Sequence, residues 1–280
     1  MPAHLPASDG RSRAFALLLV CGLVLALLLS GCGGKDKAKD PDDKPGTASS
    51  DSSGDDEPAP DPGYGAPKAG ECHRMKAAQS VASVATSKKV GCRSAHTNVI
   101  AYVGFLPKPV SPATPLAQRR AIGKKFCQPA YQRVVGGTLA DRATSILTWT
   151  LFTPGQAQLE RGARWVRCDV VARSGDKLVP LPPATPLLAQ GIPEQLRICQ
   201  NEAGLDVSCG QTHAFRVQAV YRAAGNVYPD TTAYTRVARA RCRQLLGVYG
   251  GFWQPPSQEG WKAGDRFIRC LSPKATAATP

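Results

Sequence analysis

One pattern of seven residues, present twice, limits what this chain can fold into more than any other feature. Gly162-Ala-Arg-Trp-Val-Arg-Cys168 returns as Gly264-Asp-Arg-Phe-Ile-Arg-Cys270. Upstream of each copy stands a second shared anchor, Val90-Gly-Cys92 through His96 and Val207-Ser-Cys209 through His213. Between the anchors lies a basic, helical-looking run around Cys127 and another around Cys242. Self-similarity at this spacing predicts a duplicated unit, with each copy built on the same frame of Cys, His, Gly, Arg and aromatic residues.

The cysteines support the same division. Of the 10 in the chain, eight fall four to a repeat: Cys72, Cys92, Cys127 and Cys168, then Cys199, Cys209, Cys242 and Cys270. An even set in an exported chain reads as disulfides. Confining bridges within identical repeats leaves three patterns, and the pairing of neighbours is favoured: Cys72–Cys92, Cys127–Cys168, Cys199–Cys209 and Cys242–Cys270. The first bridge of each repeat would tie adjacent strands, and the second would pin a helix to the closing strand.

Export is read from the N-terminus. Arg11 and Arg13 precede the apolar stretch 14–29, which is somewhat short for a membrane span. Leu29-Ser-Gly-Cys32 resembles the lipobox of bacterial lipoproteins, in which the Cys becomes the lipidated first residue of the mature chain. The expectation is a signal peptide over 1–31 and a palmitate-type anchor on Cys32, holding the protein at the outer face of the cytoplasmic membrane. Residues 33–70 are rich in Asp, Ser, Gly, Pro and Lys and show no apolar periodicity, so 32–70 reads as a lipidated Cys followed by a disordered tether.

Charge is distributed unevenly along the chain. From Glu71 onward there are 28 basic and 11 acidic residues, a net +17. A unit this basic outside the membrane is drawn to anionic material such as lipid head groups or phosphate-bearing wall polymers. Export argues against nucleic acid as the partner.

The fold class expected is α+β, in two tandem disulfide-stapled repeats, 71–182 and 190–280, each a small, mainly antiparallel sheet with one helix. In the first repeat, 81–84, 89–92 and 98–103 read as extended. Residues 116–135 read as a helix with Ile122, Phe126, Ala130 and Val134 inward, although Pro129 sits within it. Gly136-Gly137 stops that helix; strands follow over 145–152 and 163–171. The second repeat gives a hairpin at Glu202-Ala-Gly204, a strand over 215–221, and a helix over 231–246 stopped by Gly250-Gly251. Phe152-Thr-Pro154 is matched with Trp253-Gln-Pro255, and the first repeat carries about fourteen extra residues ahead of it (27 positions from Cys127 to Pro154, 13 from Cys242 to Pro255). Pro180 to Pro186 reads as the linker.

These anchors resemble the septum formation proteins of actinobacteria. Their domain opens on Gly-Asp-Cys, continues with Val-x-Cys-x-x-x-His and a Cys-bearing helix, and ends on Trp-x-x-Gly-x-Arg-x-x-x-Cys. Here the opening is Gly70-Glu-Cys72. The terminal motif is kept better in the second repeat, with Trp261, where the first has Leu159. The second repeat departs at its opening, with Arg197-Ile-Cys199. The resemblance implies an envelope-associated protein linked to septation or wall biology, and carries no catalytic residues.

His96 and His213 are expected to be structural, beside disulfides, as are Trp165 and Trp261. With the thiols bridged, too few ligands remain for a metal, and no cofactor is expected. No nucleophile elbow, zinc-protease motif or P-loop is present. Arg164, Arg167, Arg266 and Arg269 are the candidate anion-binding residues, three apart within each strand and so on opposite faces. The expected function is a non-catalytic binding or scaffold module, partnered by an anionic envelope polymer, lipid head groups, or division and cell-wall proteins. The alternative is a wall- or lipid-modifying hydrolase with its site between the repeats.

Overall fold

The computed structural model describes residues 59–229, 232–247, 252–262 and 264–273. Its organising strand is β5 (Trp165–Ser174), with nine of ten residues buried. It is covered on both faces although Arg167, Asp169 and Arg173 interrupt its apolar residues. Around it the first half arranges β1 (Cys72–Arg74), β2 (Lys88–Val90), β3 (Asn98–Phe105) and β4 (Leu147–Phe152) in the order β2-β1-β3-β5-β4, with β6 (Lys177–Val179) paired to β5. Helix α1 (Leu116–Val135) packs on β3, β4 and β5, and the short α3 (Gln156–Glu160) leads into β5.

The second half repeats the path. Strands β7 (Ile198–Gln200), β8 (Asp206–Ser208), β9 (Phe215–Arg222), β10 (Phe252–Gln254) and β11 (Phe267–Pro273) run in the order β8-β7-β9-β11-β10. Helix α4 (Thr232–Leu246) covers β9, β10 and β11. Both sheets are antiparallel throughout, so the architecture is α+β in two similar halves.

Four disulfides close the same positions in each half: Cys72–Cys92, Cys127–Cys168, Cys199–Cys209 and Cys242–Cys270. One bridge clasps the opening hairpin and the other fastens the helix to the closing strand, which is the pairing of neighbours expected from the sequence.

Several expectations need correction. Of the stretch 81–84 expected to be extended, Val81 ends a short 3-10 helix (Ala77–Val81), Ala82 is extended, and Val84 makes only an isolated bridge to Thr153. The buried residues of α1 are Gly123, Cys127, Ala130 and Val135: Ala130 is inward as expected, while the other three lie one position on from Ile122, Phe126 and Val134. Gly123 sets this rotation: a Cβ there would lie 2.5 Å from the Trp149 ring, so the helix presents its smallest residue to the largest side chain of β4. Pro129 stays inside the helix on an exposed position. Gly136 and Gly137 end it with φ of 68° and 63°, as a helix stop requires. Gly250 and Gly251 lie outside the described residues. In register, Cys168 faces Leu151 and Cys270 faces Trp253, so Leu151, not Phe152, is the counterpart of Trp253.

The extra residues of the first half build the junction. They carry α2 (Leu139–Ala143), capped by the Thr138 hydroxyl on the Asp141 N–H, and then bridge Ser145 to Arg197. Ile146 N–H donates to Leu196 O (2.8 Å) and Ile198 N–H to Thr144 O (2.9 Å). The expected linker is likewise docked: Leu181, Leu187 and Leu188 are buried, and their N–H groups bond His96, Val134 and Val135 carbonyls. Val99, Val170, Leu196, Val217 and Leu271 share one hydrophobic cluster, so the halves are fused through a common core.

Of the tether expected over 32–70, the part before residue 59 lies outside the described residues. Residues 59–70 are docked on the fold, with Asp61 N–H on Arg161 O (3.0 Å) and Arg164 N–H on Pro62 O (2.9 Å) in the turn before β5. Their polar, proline-rich composition conceals the contact because main chain makes most of it.

Candidate functional surfaces

Arg167 and Asp169 stand two apart on β5 and therefore share a face. Both are buried, and they meet as a fork, Nε to Oδ1 at 2.6 Å and Nη2 to Oδ2 at 2.5 Å. Asn98 donates a further bond to Oδ2 (2.6 Å), and the guanidinium lies over the Phe152 ring. Burial pushes the Asp169 carboxyl above its ordinary value, against the pull of Arg167 and Asn98. This overturns an anion-binding role for Arg167, whose charge is already taken inside the protein. The Arg-x-Asp spacing was the signal in the sequence that would have found the pair.

The network continues outward. Arg167 Nη2 donates to Ser87 Oγ (3.1 Å), Ser87 Oγ lies 3.1 Å from His73 Nδ1, and His73 Nε2 lies 3.3 Å from Glu71 Oε2. Lys89 closes the series on Glu71 Oε1 (2.6 Å). Burial would raise the Glu71 carboxyl, but Lys89 and His73 outweigh it and hold it below its ordinary value. Serine, histidine and carboxylate thus stand in hydrogen-bonded sequence, an arrangement that reading the sequence did not anticipate.

The other three arginines also have partners. Arg164 donates to Pro107 O (3.2 Å). Arg266 lies over the Trp261 ring at 4.1 Å and donates to Asp265 O (3.0 Å). Arg269 pairs with Asp206 Oδ2 at 2.5 Å, half-exposed where its counterpart Arg167 is buried.

His96 and His213 share one geometry. Each ring Nδ1 lies against the carbonyl two residues back, Ser94 O at 2.9 Å and Gln211 O at 2.8 Å. Both tryptophans are buried, with Trp165 Nε1 donating to Tyr64 O (3.0 Å) and Trp261 Nε1 to Asn226 O (2.9 Å). Among the described residues no group of three or more His, Cys, Asp or Glu is placed to hold a metal ion. Nor is any described helix long and apolar enough to cross a membrane. Cys32 lies outside the described residues.

The helices carry exposed positive charge. Neither α1 nor α4 contains an acidic residue. Lys124, Lys125 and Arg133 are exposed on α1, and Arg236, Arg239, Arg241 and Arg243 on α4. Arg236, Arg239 and Arg243 fall at i, i+3 and i+7, which gathers them on one side of α4. Arg120 makes a long contact of 3.4 Å with the exposed Glu259, a pair that water largely screens. Two hollows are also present, and each belongs to one half. A cavity of about 150 Å³ lies beside the Cys72–Cys92 bridge and His96, and an open notch of about 390 Å³ lies between Arg222 and Arg266.

No curated protein and no solved structure matches the chain. The family model described as "Septum formation" matches residues 69–270, from the turn before β1 to the last cysteine, and so takes in both halves and all four disulfides. The chain belongs to the septum formation family, whose name ties it to cell division and the cell envelope.

Proposed function

We propose that this protein is a non-catalytic binding or scaffold module of the cell envelope, exported and held at the outer face of the cytoplasmic membrane by a lipid on Cys32. It serves septum formation or wall processes by engaging an anionic envelope polymer, lipid head groups or a protein of that machinery. The tandem halves are read as a duplication of one binding frame. The observation that carries this reading is the pair of helices without acids, which leave Lys124, Arg133, Arg236, Arg239 and Arg243 exposed.

The test is co-sedimentation of the full chain and its Cys32→Ser variant with membrane and wall fractions at low and high salt. Labelled palmitate should enter the parent chain and not the variant. Wall binding by the variant that saturates, and that drops when Arg236, Arg239 and Arg243 become Ala, supports the reading. Equal sedimentation of all forms would sink it.

The Ser87–His73–Glu71 series supports a second reading, a hydrolase, with its site in the first half rather than between the halves. The first reading is preferred because Ser87 Oγ already accepts from Arg167 and His73 is 6 % exposed. Covalent labelling of Ser87 by a fluorophosphonate would reverse that preference.

A further inference from the structure

The two halves differ in what lies against the turn before the closing strand. In the first half, Gly162 has φ +89°, and a Cβ there would meet Pro60 Cβ at 2.7 Å and Asp61 N at 2.8 Å. Residues 60–65 fill this place. Arg164 N–H donates to Pro62 O, Gln158 Nε2 donates to Gly65 O, and Gly63 lies beside the Phe105 ring.

The second half builds the same turn. Gly264 N–H bonds Trp261 O and Asp265 N–H bonds Gly260 O, as Gly162 and Ala163 bond Leu159 and Gln158. Ala223 N–H bonds Arg266 O as Leu106 N–H bonds Arg164 O, and Arg222 faces Phe267 as Phe105 faces Trp165. Among the described residues this place is open. A Cβ on Gly264 (φ +99°) meets nothing within 4 Å, and the notch of about 390 Å³ takes the room that residues 60–63 occupy in the other half. The Arg266 N–H, counterpart of the one on Pro62 O, has no partner among the described residues. Where the first half presents Phe105, the second presents the exposed Arg222, likewise without a partner among the described residues.

We infer that this notch is a docking site for an extended acidic peptide segment of another protein. One peptide carbonyl accepts from the Arg266 N–H, as Pro62 O does on Arg164, and a carboxylate near the position of Gly63 pairs with Arg222. Strand-edge recognition of this kind takes affinity from main-chain bonds and specificity from a side chain. The cationic Arg222 in place of Phe105 makes the occupant acidic. Asp265, the nearby carboxylate, is held by the Phe267 N–H (2.9 Å) and keeps to its own turn. The inference rests on the binding-module reading and adds the chemistry of one partner.

The probes are two synthetic peptides with the sequence of residues 57–66, one as it stands and one with Gly63→Glu. Each is titrated into the full chain and into its Arg222→Ala variant, with hydrogen exchange followed at residues 264–266. The Glu peptide is expected to bind about tenfold more tightly than the unaltered one and to protect the Arg266 amide. Arg222→Ala should remove that tenfold preference and leave the melting temperature unchanged, because Arg222 is exposed. Equal binding of both peptides, or a preference that survives Arg222→Ala, overturns the proposal. So does protection by inorganic phosphate or phosphatidylglycerol vesicles but not by peptide, which would assign the notch to phosphate. If the peptides fail while wall co-sedimentation persists, the docking site is lost and the binding module stands.

Discussion

The two halves share strand order, helix placement and disulfides, and they part company where charge is buried. In the first, Arg167 reaches inward to a carboxylate that is fully out of water, and a chain of polar groups leads from there to Lys89 at the surface. In the second, Leu271 takes the place of Asp169 in register, and Arg269 turns to the half-exposed Asp206. The backbone frame tolerates either a charged or an apolar centre. The difference teaches that the repeated arginine is kept by the frame, while its partner is chosen by each half separately.

The largest effect should come from testing that difference. Arg167→Ala leaves Asp169 buried and unpaired, at a cost of about 3–5 kcal/mol in denaturant unfolding. Arg269→Ala breaks a half-exposed pair and should cost at most about 1 kcal/mol. Equal losses would mean that the halves do not differ as described. Next come the disulfides, which ought to erase the contrast. Removing the Cys127–Cys168 bridge by paired Ala substitution should cost about 4 kcal/mol and the shorter Cys199–Cys209 loop about 3 kcal/mol, since loop closure depends weakly on length. A third pair sharpens the contrast at the turn. Gly264→Ala meets only the strain of its positive φ, about 1 kcal/mol, while Gly162→Ala also strikes residues 60 and 61 and should cost about 3 kcal/mol. Thermal melting of both variants decides this.

The smallest effect concerns an element that only the first half possesses. The Asp141 carboxyl is held below its ordinary value first by the Thr138 N–H and then by the Thr138 hydroxyl. A depressed carboxyl stabilises the fold above its unfolded value and loses that contribution as pH falls through the folded one. Thr138→Ala should therefore cost about 1 kcal/mol at neutral pH and progressively less below about pH 4, as read by unfolding across that range.

The frame was legible because cysteines, histidines and glycines in fixed order mark positions rather than propensities. That is why the helix ended at Gly136-Gly137 and the hairpin turned at Gly204 as expected. What escaped was contact made by main chain or decided by an absent side chain. Residues 59–70 have the composition of a tether, yet Pro62 and Tyr64 carbonyls accept from Arg164 and Trp165. The stripe on α1 was placed by its apolar residues, but Gly123 decides the face because Trp149 needs the room. The arginines were singled out for their charge alone. Only the structure shows that Arg167 and Arg269 meet carboxylates, and Arg164 and Arg266 carbonyls.

The shared cluster of Val99, Val170, Leu196, Val217 and Leu271 has a bearing on inheritance. Cut between the halves, a gene would encode two pieces, each exposing the apolar face that its neighbour now covers, together with the open end of the Ser145–Arg197 bridge. Neither piece is a part that recombination could carry into another protein intact. The smallest portable unit is the pair.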